Sequence, residues 1–330
     1  MVTRRRVVIA LGAGALTAPF ASFAQQQQKI RRIGFLAARS RPTPSNPDYY
    51  DAFTQGMREL GYVEGKNLVI EWRFADGKYD VLPGLAAELV RMKVEVIVTH
   101  SGPGTLAAQR ATNTIPIVTA AMTDPVASGF AASLARPGGN VTGLSLMVLD
   151  VSPKHVELLK VMVPKLSRAA VLLNPNNPAR AAVLKSVQAA AQQIGVKILP
   201  VDARSPDEIE RGFATMTRER VEGVVIQSDA IFTAQRRQIA ELALKSRMPS
   251  MSANLDIAEA GGLMGYGEDR ADFFRRAATY VDKILKGAKP GELPIEQSTR
   301  IYFAINRKTA KALGLKIPNS ILVQATKVIE

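Results

Sequence analysis

The sequence predicts an α/β protein with two doubly wound, Rossmann-like lobes, each built on a parallel sheet. Short apolar runs alternate with amphipathic segments along the chain, which is the pattern of strands connected by covering helices. The runs are continuously apolar, as strands buried on both faces of a sheet are. The order of elements recurs in the second half, and a chain of 330 residues is long enough to bury two cores.

Four strands and three helices are predicted in the first half. The strands are residues 33–37, 68–72, 94–99 and 115–119. The helices are residues 51–60, 79–92 and 105–111. The first helix places Phe53, Met57 and Leu60 on one face, and the Gly61 that follows is a typical helix end.

The second half repeats this plan. Its predicted strands are residues 169–173, 196–201, 221–226 and 249–252. It has three predicted helices. They are residues 179–194, the segment that follows the capping-box residue Ser205, and residues 233–245. Asn177 and Pro178 suit the N-cap and first-turn positions of the helix at 179–194. The boundary between the lobes is expected within residues 143–150, after a Pro-Gly-Gly turn.

Residues 1–24 have the features of an export signal. Three arginines precede an apolar run at 7–20, and small residues up to Ala24 suit cleavage there. The run is too short, and too interrupted by Gly and Pro, to favour a membrane anchor. The arginine pair also fits a twin-arginine signal, so both export routes stay open. A polar tail at 25–31 follows, and no later run is long enough to span a bilayer, so a soluble mature protein is expected.

The composition excludes several kinds of site. The sequence has no Cys and two His, which removes thiol chemistry, Cys-ligated zinc and a lipid-modified cysteine and disfavours a metal site. The formal charge is +14, but the basic residues are spread over predicted helix faces, so no nucleic-acid partner is expected. No GxSxG, P-loop or strand-linked GxGxxG motif is present, so we predict no catalytic residue, cofactor or metal.

The candidate site is the set of loops beyond the carboxyl ends of the strands, where ligands of open parallel sheets bind. Six such loops, three per lobe, are polar, and each is expected to precede a helix whose free N–H groups favour an anion. The candidate ligand-binding residues of the first lobe are Arg39, Ser40, His100, Ser101, Gly102 and Asp124. Those of the second lobe are Asn174, Asn176, Asn177, Asp229, Asn254, Asp256 and Tyr266.

Individual candidates also have structural interpretations. Asp124 precedes a proline and equally suits a helix N-cap. His100 lies in a cleft loop, where a surface or hydrogen-bonded role is more common than catalysis. His155 falls in a predicted helix and is expected to face solvent. The prediction of a site therefore depends on two sets of polar loops that face each other, with Asp124, Asp229 and Asp256 able to meet a cation such as an amino group.

Six segments carry distinctive motifs over nearly the whole mature chain. They are residues 33–36, 53–65 (FTQGMRELGYVEG), 124–126, 134–143 (LARPGGNVTG), 277–287 and 306–318. In these segments the chain resembles the ABC transporter substrate-binding proteins of the tryptophan/tyrosine-binding type. The resemblance implies a type I periplasmic-binding-protein architecture, in which two α/β lobes are joined by a hinge of several crossings.

The resemblance further implies that both lobes are discontinuous in sequence. The N-terminal lobe is then expected to comprise residues 32–145 and about 268–300, and the C-terminal lobe residues 146–267 and about 301–330. It implies a periplasmic protein, expected to be a monomer, that captures a small solute and delivers it to a membrane permease powered by an ATPase. The expected solute is an amino acid or a related carboxylate, whose carboxylate Arg39 would reach unless that side chain points outward.

Other classes of function differ in specific features. A periplasmic sensor that presents its closed form to a membrane receptor would have the same sequence, so it remains the alternative. An α/β enzyme, a less favoured alternative, needs a nucleophile with a base or a cofactor motif. A gene regulator with the same two-lobed sensor needs a DNA-binding unit at the N-terminus, where the export signal lies.

Overall fold

The computed structural model describes residues 30–41, 49–297 and 300–330. The predicted export signal and residues 25–29 of the polar tail lie outside the described residues. No helix within the described ranges is long and apolar enough to cross a membrane.

Strands and helices alternate through the first half. In chain order they are β1 (Arg31–Ala37), α1 (Tyr50–Glu59), β2 (Leu68–Phe74), α2 (Leu82–Arg91), β3 (Val96–Thr99), α3 (Gly102–Ala111), β4 (Ile117–Thr123) and β5 (Val141–Leu146). A 3₁₀ turn at Tyr79–Val81 precedes α2, so the helix predicted from residue 79 begins as a tighter turn.

The alternation continues through the second half. The next elements are α4 (Val148–Met162), β6 (Arg168–Leu173), α5 (Arg180–Gln193), β7 (Lys197–Asp202), α6 (Pro206–Arg218), β8 (Val224–Ile226), α7 (Ala230–Ala234), α8 (Arg236–Lys245), β9 (Ser250–Ser252) and α9 (Leu255–Glu259). The last elements are β10 (Met264–Glu268), α10 (Arg270–Leu285), β11 (Glu296–Gln297), β12 (Ile301–Asn306), α11 (Arg307–Ala312), α12 (Asn319–Gln324) and β13 (Lys327–Ile329).

These strands form two sheets, which confirms the predicted pair of doubly wound lobes. The first sheet has the order β11-β5-β4-β3-β1-β2, and its neighbouring strands are parallel. The second has the order β13-β12-β10-β9-β8-β6-β7. Its neighbours are parallel apart from β10 and β12, which pair antiparallel. In both sheets the carboxyl ends of the central strands face the other lobe, where the candidate loops begin.

The chain passes between the two sheets three times. It passes from β5 to α4, from β10 to α10, and from β11 to β12. Between the last two passages α10 packs against α1 and β4 of the first lobe, and β11 pairs with β5. Glu268 ends β10 with 2% of its surface exposed, and its carboxylate accepts a hydrogen bond from the N–H of Met147. This bond ties the first crossing to the second.

The core of the first lobe centres on the fully buried ring of Phe35 in β1. The ring stacks on Trp72 of β2 at a centroid distance of 4.7 Å and meets Tyr50 and Phe53 of α1 edge-on at 5.2 Å each. Phe274 of α10 lies 6.3 Å away on the same side. These rings fix the end of β1 relative to α1 and α10, and so fix the first of the candidate loops.

Two predicted helix starts are wrong. α5 begins at Arg180, and the Asn177 side chain accepts a hydrogen bond from the Ala179 N–H (2.9 Å) in a turn before the helix. No helix follows Asp124, because its own φ is 38° and its carboxylate accepts from the Ala127 N–H (3.0 Å), which closes a turn. In both cases a short polar side chain bonds to nearby backbone outside a helix.

His155 is buried, so the expectation that it faces solvent is wrong. The side chain is 1% exposed, since α4 packs against α5 on one side and β9 and β10 on the other. Its Nε2 lies 2.8 Å from the carbonyl oxygen of Tyr266. Burial lowers the pKa of His155 to about 4, with the Tyr266 hydrogen bond opposing the shift.

We expect His155 to make the protein less stable at mildly acidic pH. Above the unfolded pKa of about 6.5 the ring is neutral in both states, whereas between that value and the folded pKa only the unfolded state takes up the proton. Going from pH 7 to pH 5 should therefore remove about 2 kcal/mol of unfolding free energy through this residue. Urea unfolding at both pH values checks this. His155→Gln should lose that share of the pH dependence, and an unchanged dependence would contradict the assignment.

Candidate functional site

The polar loops of the two lobes meet across a narrow cleft that encloses a cavity of about 30 Å³. Of the predicted residues, the cavity is lined by Arg39, His100, Ser101, Gly102, Asn177 and Asp229. Other residues that line it include Ala121, Thr123, Leu146, Ser228, Thr233 and Arg270. Sites that hold a small molecule measure about 300–1,000 Å³. The lobes must therefore separate before a solute enters.

Asp229 is the central acid of this cleft and is 6% exposed. Its Oδ1 accepts from the Tyr79 hydroxyl (2.7 Å), from Asn174 Nδ2 (3.1 Å) and from the Ile231 N–H (3.0 Å), which starts α7. Its Oδ2 accepts from Asn177 Nδ2 at 2.8 Å. Burial raises the pKa of the Asp229 carboxyl, and these hydrogen bonds oppose the rise.

Two tyrosines of the first lobe bond to acids of the second. The hydroxyl of Tyr79 donates to Asp229, and the hydroxyl of Tyr49 donates to Asp256. Burial, and then the charge of the partner carboxylate, raise the pKa of each phenol well above its usual value. Both hydroxyls therefore keep their protons at neutral pH and hold the lobes together as hydrogen-bond donors.

Arg39 follows β1 and is buried, with 6% of its surface exposed. Its guanidinium lies over the rings of Tyr49 and Tyr50, 5.5 and 5.9 Å from their centroids. It lines both the inter-lobe cavity and a neighbouring depression that contains Asp256. Of the two orientations left open by the sequence, the structure shows the one directed into the cleft.

His100 is a neutral hydrogen-bond acceptor at the end of β3. Its Nε2 accepts from the Ala38 N–H (3.2 Å) and lies 3.1 Å from the Tyr50 hydroxyl. Burial, and then the positive charges of Arg39 and Arg270, lower the pKa of His100 well below its usual value. The ring thus ties the loop after β3 to the loop after β1 without adding a charge to the cleft.

The loop after β3 brings a helix N-terminus to the cleft. The Ser101 hydroxyl caps α3 by accepting from the Gly104 N–H at 3.3 Å. Gly102 allows a close approach of the lobes, because a Cβ there would lie 3.3 Å from Cδ of Pro178 in the second lobe. The positive end of the α3 dipole gives this wall of the cleft a positive potential.

The remaining predicted residues occupy different positions. Asn174 is buried and holds Asp229, while Asn254 is buried and donates to the Thr233 hydroxyl (3.0 Å). Neither of these asparagines lines the cavity, and nor do the other five predicted residues, which are Ser40, Asn176, Asp124, Asp256 and Tyr266. Ser40 and Asn176 are exposed, and Asp124 lines a separate depression.

Sequence reasoning missed Tyr79 and Arg270. Tyr79 begins a 3₁₀ turn rather than following a strand, so no rule about strand ends points to it. Arg270 follows β10, whose sequence Met-Gly-Tyr-Gly-Glu reads as a glycine-rich connection rather than as a strand. Recognising β10 as a strand would have placed Arg270 at a strand's carboxyl end. No group of three or more acids and histidines that would hold a metal ion occurs among the described residues.

Comparisons with known proteins agree with this architecture. A tyrosine-binding protein of Clostridioides difficile (strain R20291) is 24% identical over 274 residues, which are 83% of this chain and 78% of that protein. The crystal structure of an ABC domain from Streptococcus pneumoniae in complex with L-Trp is 25% identical. It matches 91% of this chain and 99% of its own with a TM-score of 0.81.

A ligand-free, open structure of a substrate-binding protein with adhesive properties from Clostridium difficile is 24% identical. It also covers 91% of this chain and 99% of its own, but with a TM-score of 0.62. A lower score is expected against an open structure, because the lobes of the present chain contact each other across the cleft. The family model described as ABC transporter substrate binding protein matches residues 42–329. This match spans both lobes and the cleft between them, and the chain belongs to the family of ABC transporter substrate-binding proteins.

Proposed function

We propose that this protein binds an amino acid in the cleft between its lobes and delivers it to the permease of an ABC importer. The observation that carries the proposal is one buried inter-lobe cavity with an acid on one side and cationic groups on the other. A zwitterion needs this pair of environments. The proposal is supported by the relatives described as a tyrosine-binding protein and as an L-Trp complex.

Asp229 is the proposed partner of the solute's ammonium group. Its Oδ1 accepts three hydrogen bonds, whereas its Oδ2 accepts one among the described residues. Since Oδ2 accepts only one donor while Oδ1 accepts three, Oδ2 has room for a further donor. Tyr79 and the two asparagines hold the carboxylate in place for that contact.

The solute's carboxylate is proposed to face the positive wall formed by Arg39 and the N-terminus of α3. Both favour an anion, and the neutral His100 between them leaves the wall's charge unchanged. Of the predicted ligand-binding residues, we propose as contacts of the solute those that line the cavity, which are Arg39, His100, Ser101, Gly102, Asn177 and Asp229.

Binding is proposed to hold the lobes closed. A solute that contacts both lobes stabilises the closed form only by as much as it binds that form better than the open one. The closed surface is then what the permease and its ATPase recognise, and no bond of the solute is made or broken. We place the protein in the periplasm as a monomer, exported by its N-terminal signal. A sensor that presents the closed form to a membrane receptor remains the second candidate.

Calorimetric titration tests the solute class. The protein is unfolded and refolded to remove bound solute, then titrated with L-tryptophan and L-tyrosine. Tryptamine lacks the carboxylate and 3-indolepropionate lacks the ammonium, so both should bind at least about 30-fold more weakly than L-tryptophan, since each loses one buried charge contact. Equal binding of all three indoles would contradict zwitterion recognition, and no binding of any amino acid would contradict the solute class.

Uptake measurements separate transport from sensing. Cells that lack the protein should lose high-affinity uptake of the labelled solute that calorimetry identifies. Unchanged uptake, together with a lost transcriptional or motility response to that solute, would favour the sensor.

A further inference from the structure

Arg270 lies where the hinge meets the cleft. It is the first residue of α10 and directly follows the crossing that leaves β10. Its Nη2 donates to the hydroxyl of Ser228 at 2.6 Å, so the side chain reaches from the crossing to the second lobe. The guanidinium is also part of the cavity wall.

One donor of this guanidinium has no partner. Nε of Arg270 is buried and has no hydrogen-bond acceptor within the described part of the chain. Buried donors in proteins are almost always satisfied, so an unsatisfied one in a cavity wall indicates a ligand acceptor. Ser228 accepts a hydrogen bond only from the neighbouring nitrogen, Nη2, and does so with a single neutral hydroxyl.

The chemistry of the missing acceptor follows from the geometry of the fork. Nε–H and Nη2–H point in parallel and match the two oxygens of a carboxylate. The cavity wall also holds the neutral His100, the cation Arg39 and the acid Asp229. The side-chain donors to the Asp229 carboxylate are Tyr79, Asn174 and Asn177 rather than Arg270, so none of the three side chains supplies the acceptor. An anionic group with two coplanar oxygens is therefore the best match.

We propose that Arg270 binds the carboxylate of the solute through Nε and Nη2, with the Ser228 hydroxyl displaced from Nη2. This inference rests on the proposed amino-acid-binding function and adds Arg270 to the positive wall of Arg39 and the α3 N-terminus, as the residue that makes the bidentate contact. Arg270 begins α10 two residues after Glu268, which holds the first crossing through Met147. A carboxylate bound here contacts the hinge as well as the cleft, so binding is coupled directly to lobe closure.

The test compares L-tryptophan with L-tryptophanamide, in which the carboxylate is a neutral amide, by calorimetry. The wild-type chain should prefer the acid by at least about 30-fold, because a bidentate charged contact is lost with the amide. Arg270→Gln should reduce that preference to less than about threefold while binding the amide as the wild type does. Arg270→Lys keeps the positive charge but cannot make two parallel hydrogen bonds. Its preference for the acid should therefore lie between those of the wild type and Arg270→Gln.

Arg275→Gln is the matched control. Arg275 lies on the same helix but is exposed and pairs with Glu59 (2.6 Å), so its loss should leave the acid preference unchanged. Normal amide binding by Arg270→Gln shows that this variant is folded. If Arg270→Gln binds neither compound, Arg270→Lys decides, and a full acid preference in that variant overturns the bidentate contact.

Two failures are distinguishable. If the wild type binds L-tryptophan and Arg270→Gln keeps the full preference for the acid, the assignment of Arg270 is overturned and the proposed function stands. If the wild type binds neither L-tryptophan nor L-tyrosine, the proposed function fails and the assignment fails with it.

Discussion

Replacing Asp229 by Asn is expected to weaken amino-acid binding by at least about 30-fold, or 2–5 kcal/mol. The carboxylate is buried, and its Oδ2 is the proposed partner of the solute's ammonium group. Asn has the same shape but no charge, so the ammonium of the bound solute would be left in a buried site without a counterion. Calorimetric titration with the amino acid that the wild type binds best gives the change in Kd.

The fold should tolerate this substitution. Asn is as good an N-cap as Asp, so α7 keeps its start, and the side-chain oxygen can still accept from Tyr79. The amide nitrogen that replaces Oδ2 cannot accept from Asn177, so this one hydrogen bond is lost. Asp202→Asn is the control, since Asp202 lies in the same lobe, pairs with Arg180 at the surface (2.8 Å) and does not line the cavity. A wild-type Kd in Asp229→Asn would contradict the ammonium contact. A similarly raised Kd in both variants would indicate a nonspecific charge effect.

Replacing Phe35 by Ala is expected to reduce the free energy of unfolding by about 3–5 kcal/mol. The ring is fully buried and contacts aromatic rings from α1, β2 and α10, so its removal leaves a cavity that these elements fill only in part. Urea unfolding measures the loss. The substitution should also weaken solute binding, because Tyr50, which packs on Phe35, bonds to His100 at the cleft.

Val323→Ala is the control for this prediction. Val323 is 79% exposed on α12, so its truncation should change stability by no more than about 0.5 kcal/mol. A loss of less than about 1 kcal/mol in Phe35→Ala would show that the lobe repacks around the site, against the close-packed core described here.

Much of the fold could be predicted because local signals and tertiary packing agree. Continuous apolar runs such as Val96–Thr99 are buried strands, and the Ser205 hydroxyl caps α6 as its capping-box position indicates. The antiparallel pairing of β10 with β12 could not be predicted. This pairing depends on where β12 joins the second sheet after α10 and β11 have packed in the first lobe. No local sequence pattern determines that position.

The site was predictable only in part, for a related reason. Residues placed by strand ends, such as Arg39, His100 and Asp229, line the cavity. Contacts made by lobe closure join residues far apart in sequence, and Tyr79 bonds to Asp229 across 150 positions. Burial of His155 likewise depends on three elements that pack around α4. Such long-range contacts and burial are determined by the assembled lobes, so the sequence of a single loop or helix does not reveal them.

The central claim is that a solute binds between the lobes and holds them closed, and a distance measurement tests it most directly. The sequence has no Cys, so spin labels on Lys78→Cys and Glu259→Cys, both exposed and one in each lobe, are the only labels on the chain. Without solute, the distances between the labels should include values longer than those of the structure described here, because solute entry requires the lobes to separate. Saturation with the amino acid that binds best should narrow the distribution and shift it to shorter distances. A distribution that does not change while calorimetry shows full occupancy would contradict the claim.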